Sequence, residues 1–119
     1  MTTADEALTE LLLAETAEHG SVRPPWIRLP GVHPFDIAWR MGAGETHLLL
    51  WSAWAPDHDV SARLAVLRGY GAIPADWASW AAEAVEVIAG DDSDEIPFEE
   101  IRRRLNEVGL TVAGEPDEG

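Results

Sequence analysis

Prolines and glycines cut this chain into short pieces. Pro24, Pro25, Pro30, Pro34, Pro56, Pro74 and Pro97 each lack a backbone donor and push the preceding residue out of helical angles. Gly20, Gly42, Gly69, Gly71, Gly90 and Gly109 fall at the ends of apolar runs, where a helix stops most easily. No apolar run reaches the roughly 20 residues that a membrane span needs. The apolar residues inside the pieces recur mostly at helical spacing. The expectation is an all-α domain of five or six short helices, with a proline-rich arm and an acidic C-terminal tail.

Each piece has its own signals. Thr3 and Glu6 fit a capping box for a helix from Ala4 to His19, with Ala7, Leu8, Leu11, Leu12 and Ala14 on its apolar side. Ser21 to Pro34 reads as extended or polyproline-like, with Trp26, Ile27 and Leu29 along it. Pro34 suits the first turn of a short helix through Met41 that Gly42 ends. His47 to Trp51 has the look of a buried strand, but Leu48, Trp51 and Ala55 and the pair Leu50, Trp54 favour a helix over Thr46 to Trp54. Asp57 or Asp59 caps the next helix. Pro74 to Ala89 is the clearest helix, with Trp77, Trp80, Ala84 and Ile88 expected inside. Pro97 starts the last one, with Phe98, Ile101, Leu105 and Val108 inward and Gly109 as its stop. Residues 1–110 are thus expected as a single helical domain, and 111–119 as a disordered acidic tail.

Charge narrows the function. The 119 residues carry 22 acids against 8 bases, a net charge of −14. Residues 1–20 and 91–119 are strongly acidic and the middle is nearly neutral. Nucleic-acid binders use clustered cations on phosphates, so this balance argues against direct nucleic-acid binding. There is no cysteine, which excludes disulfides and thiolate-held metals. The N-terminus has acids where a signal peptide has bases, so a cytoplasmic protein without membrane contact is expected. All eight bases are Arg, and six residues are Trp, a large contribution to any core.

Catalytic patterns are missing. No Ser sits in a Gly-x-Ser-x-Gly frame, and the glycine-rich turn Gly42-Ala43-Gly44-Glu45-Thr46 lacks the Lys of a phosphate loop. His19 and His33 read as helix-end residues, and His47 as a satisfied core histidine. Asp57-His58-Asp59 reads as a cap rather than a metal site, because adjacent side chains seldom converge on one ion. Glu45, with Arg40 five residues before it, reads as half of an ion pair between two helices. No catalytic residue, cofactor or metal is expected. The stretch from His33-Pro34 through Ile37-Ala38-Trp39-Arg40-Met41-Gly42-Ala43-Gly44-Glu45 resembles a core segment of uncharacterised small bacterial proteins. The resemblance implies that Trp39, Arg40 and Glu45 matter, and attaches no activity to them.

Small size, strong acidity and surplus Trp point to a non-catalytic binding protein. Such a protein occupies or neutralises a basic protein partner, in the manner of an immunity protein, an antitoxin, an inhibitor or a nucleic-acid mimic. The expected contact residues are Trp26 as apolar anchor and the densest acids, Asp91, Asp92, Asp94, Glu95, Glu99 and Glu100. Trp39, Arg40, Glu45, Trp77 and Trp80 are expected to serve the structure. The alternatives are an accessory or scaffold subunit of a larger bacterial assembly, and a small enzyme of unknown chemistry.

Overall fold

The computed structural model describes residues 4–90 and 95–115. Among the described residues there are six helices and almost no strand, and the fold, 65% helical, is all-α. The described residues gather into two compact units, within residues 1–58 and 59–119.

In the first unit, α1 spans Ala4–His19, as its spacing predicts, and Gly20 ends it at φ +80°. Thr3, the expected cap, lies outside the described residues. Its inner face differs from the expected one. Leu8 and Leu12 are half-buried, Glu15 is buried, and Leu11 and Leu13 point outward.

The proline-rich arm is not extended throughout. Pro25–Arg28 forms a one-turn helix, α2, because Pro24 and Pro25 hold helical-entry angles and the Pro24 carbonyl accepts from the Ile27 and Arg28 N–H groups. Its turn puts Trp26 inside. A 3-10 turn, Ile37–Arg40, follows in place of the expected α-helix; the Asp36 carboxylate caps it by accepting from the Ala38 N–H at 2.9 Å. This turn buries Trp39 and leaves Phe35, Ile37 and Met41 outside.

Gly42 begins a helix rather than ending one. At φ +58° it reverses the chain into α3, Gly42–Trp54. Two residues on, Gly44 lies against the 3-10 turn so closely that a Cβ there would fall on the Ala38 carbonyl. The run Thr46 to Trp54 is helical, with His47, Leu50, Trp51 and Trp54 buried on one face. His58 closes α3: its Nδ1 donates to the Trp54 carbonyl at 2.8 Å, and its ring stacks on Trp54 at 4.1 Å.

In the second unit, Asp59 caps α4, Val60–Gly69, by accepting from the Ala62 N–H. A short strand β1, Ile73–Pro74, then pairs in parallel with β2, Val112–Ala113. The chain at residues 110–113, partly within the expected tail, is ordered against this unit. Thr111 accepts from the Ile73 N–H at 2.8 Å, and Leu110 is fully buried.

The expected helix from Pro74 to Ala89 is a 3-10 turn, Ala75–Trp77, and a seven-residue helix α5, Ala78–Ala84. It stops because the Val87 N–H reaches back to the Ala82 carbonyl and the Glu86 N–H to the Glu83 carbonyl, a Schellman ending with Glu86 at φ +58°. Trp77, Val85 and Ile88 are buried, while Trp80 and Ala84 are half-buried rather than inside. The last helix, α6, is Phe98–Glu107, entered through Pro97 and ended by a second Schellman motif at Gly109. Ile101 and Leu105 form its buried edge.

Candidate functional site

A buried polar arrangement lies in the first unit, between α1, α2 and α3. Glu15 projects from the inner face of α1 and is only 8% exposed. A carboxylate so placed needs donors. Arg23 supplies them: its Nε and Nη2 donate to the two carboxylate oxygens at 2.7 and 2.9 Å, and its backbone N–H adds a third bond at 3.1 Å. Burial alone raises the Glu15 pKa, but the Arg23 hydrogen bonds and charge outweigh it and hold the carboxyl down at about 2.

His47 completes the wall. It is 2% exposed, and its Nε2 donates to the Arg23 carbonyl at 2.7 Å. Burial pushes its pKa below the usual histidine value, against the opposing pull of that hydrogen bond and of Glu15. Arg23 therefore meets α1 through its side chain and α3 through its carbonyl. The satisfied-core reading of His47 holds, but sequence spacing does not reveal Glu15, because an acid amid a Leu-rich helix looks like part of its wet face. Beside this wall opens a cleft of about 310 Å³, lined also by Leu11, Ala14, Arg28, Thr46 and Leu50.

The expected contact residues fall in different units or outside the described residues. Trp26 is buried, 6% exposed, because the α2 turn rotates it into the first unit; it has no free surface to anchor a partner. Asp91, Asp92 and Asp94 lie outside the described residues. Glu95 is exposed. Glu99 and Glu100 are not an uncompensated extension of the acidic run, since α6 brings its own cations one turn on. Arg102 lies 3.6 Å from Glu99, and Arg103 and Arg104 both bond Glu100. Those bonds hold the Glu100 carboxyl at about 2.

Among the expected structural residues, Trp39 and Trp77 are buried and Trp80 is half-buried against the edge of Trp77, ring centres 6.0 Å apart. Arg40 and Glu45 do not pair. Both are exposed, because Gly42 turns α3 away from the direction a continuous helix would take. His33 acts as a cap, its Nδ1 accepting from the Phe35 N–H at 3.1 Å. His58 and Asp59 are likewise engaged at helix ends. Among the described residues, no three His, Asp or Glu side chains gather where they could hold a metal ion, and no helix is long and apolar enough to cross a membrane.

The feature that sequence reasoning missed is apolar. Phe35, Ile37 and Met41 are 81%, 67% and 56% exposed within seven residues of chain. They were legible as hydrophobic but not as outward-facing, since the 3-10 turn sends Trp39 inward instead. No family model matches the chain, and no curated protein or solved structure matches it significantly.

Proposed function

We propose that this chain is a non-catalytic, acidic binding protein of the cytoplasm that occupies a basic protein partner, and that Phe35, Ile37 and Met41 form its apolar anchor. The observation that carries the reading is the exposure of these three side chains within seven residues of chain, in and beside a capped turn. Single exposed apolar residues are ordinary, whereas a cluster of large ones marks an interaction surface. The net charge of −14 supplies the complementarity to a basic partner, and long-range attraction of that kind acts mainly on the rate of encounter. The non-catalytic reading is supported by the histidines: His33, His47 and His58 each spend a ring nitrogen on the backbone.

The test begins with capture from the cell of origin and purification of the protein so identified. Surface-plasmon kinetics against that partner then decide. Phe35→Ser combined with Met41→Ser should raise the off-rate about tenfold or more. Charge reversal at Asp91, Asp92 and Asp94 should slow the on-rate at low salt. Recovery of no basic protein at low salt overturns the reading, and so does an off-rate that the double variant leaves unchanged.

The same three apolar side chains favour a second reading, an accessory subunit of a larger assembly. Salt separates the two. An electrostatically guided inhibitor associates more slowly as ionic strength rises, and an apolar docking subunit does not.

A further inference from the structure

The cleft of the first unit contains a cation that its surroundings leave uncommitted. Arg28, at the end of α2, lines it, and its guanidinium makes no hydrogen bond or ion pair among the described residues. Its neighbours in the cleft are already engaged. Arg23 is committed to Glu15, and Glu18 stands at the rim, well exposed and 3.7 Å from His19. Arg28 is half-buried, and its charge opposes protonation of the buried His47 ring. One wall of the cleft is apolar, formed by Leu11, Ala14 and Leu50.

We propose that this cleft binds a small monocarboxylate with a short apolar tail, its carboxylate on Arg28 and its tail against Leu11, Ala14 and Leu50. A guanidinium offers two parallel donors that match a carboxylate and hold it in one orientation. One negative charge fits and two do not. The Glu15–Arg23 pair is internally balanced, so a second charge on the ligand would find no further uncommitted cation in the lining and would meet the exposed Glu18 carboxylate. Size points the same way, since about 310 Å³ is at the small end of ligand sites. The wall is built before any ligand arrives, because the three bonds to Glu15 and the His47 bond to the Arg23 carbonyl fix it. The cleft's lining includes none of Phe35, Ile37 and Met41, and either assignment stands without the other.

The experiment is an NMR titration of the full chain with 4-methylpentanoate. Inorganic phosphate and 4-methylpentan-1-ol serve as comparisons, the first lacking the tail and the second the charge. Saturable shifts are expected at the Arg28 Nε–H, the His47 ring and the Leu50 methyls, with a dissociation constant of about millimolar or below. The charged groups facing His47 are Glu15, Arg23 and Arg28, so an added carboxylate on Arg28 should move the His47 titration upward. Arg28→Gln should weaken binding about tenfold or more with the rest of the spectrum unchanged, and Arg28→Lys should fall between. Equal binding of phosphate or of the alcohol overturns the proposal. So do shifts that map outside the cleft, or wild-type affinity in a folded Arg28→Gln. If Arg28→Gln fails to fold, the wild-type shift map and the two comparison ligands decide alone.

Discussion

Glu86 and Gly109 occupy the same position in two helix endings, each one residue past the cap and each in the left-handed region, at φ +58° and +86°. Glycine adopts that conformation freely. A residue with a Cβ pays about 1–2 kcal/mol for it. Glu86 has a partial return, since its carboxylate lies 3.3 Å from Arg63, but it is 63% exposed and Arg63 keeps its bond to the Ala84 carbonyl without it. Glu86→Gly should therefore stabilise the second unit by about 0.5–1 kcal/mol in urea denaturation. Gly109→Ala should destabilise it by about 1–2 kcal/mol, because the new Cβ is strained and meets the Arg68 guanidinium. Equal effects of the same sign would contradict the shared geometry.

Acid should unfold the first unit in two stages. His47 is held neutral below its ordinary pKa of 6.5, so below pH 6.5 the unfolded chain takes up a proton that the folded chain refuses. Stability is then lost as pH falls from that point. Glu15 has the second stage. Its ordinary pKa is 4.5 and its folded value about 2, so its contribution is complete above 4.5 and disappears as pH falls toward 2. Denaturation midpoints of wild type and His47→Gln over this range check the assignment: the variant should lose the upper stage and keep the lower. An unchanged upper slope would assign that stage to another group.

Trp77 and Trp80 should separate in a truncation experiment. Trp77 is 4% exposed and Trp80 is half-buried at its edge. Trp77→Ala should cost about 3–5 kcal/mol, as full core truncations do, and Trp80→Ala clearly less. Thermal melts of the two variants are sufficient, and a larger loss for Trp80 would reverse the ordering.

Signals that act within one turn were readable from the sequence. The bounds of α1, the Asp59 cap, the entry of α6 at Pro97 and its stop at Gly109 all arise from neighbours in the chain. The helix over Thr46 to Trp54 followed from the spacing of Leu48, Trp51 and Ala55 and of Leu50 and Trp54. What escaped depends on distant partners. The spacing of Trp77 to Ile88 fits a helix of three turns, and Val85 and Ile88 are indeed inside, yet the backbone turns out at Glu86 to meet Arg63 and to give the Val87 carbonyl to Arg104. Glu15 turns inward because Arg23 waits eight residues away. The two-residue ladder between Ile73 and Val112 has no local signature at all.

DNA and RNA should not bind at physiological salt. Of the Arg side chains, Arg23, Arg63, Arg102, Arg103 and Arg104 are each engaged with a carboxylate of the chain itself, and the net charge of −14 repels phosphate. A mobility shift that weakens with rising salt would contradict this.

Gly44 bears on how the Phe35–Met41 surface would meet anything. With no Cβ, it lets α3 rest directly on the Ala38 carbonyl, while Asp36 locks the turn from its other end. A loop that must be ordered on contact loses backbone entropy at the moment of association, about 1–2 kcal/mol for each residue fixed. Here the backbone has lost that freedom on folding. Phe35, Ile37 and Met41 thus stand on a backbone ordered in advance, and a longer residue at position 44 would loosen the proposed surface without removing any of its side chains.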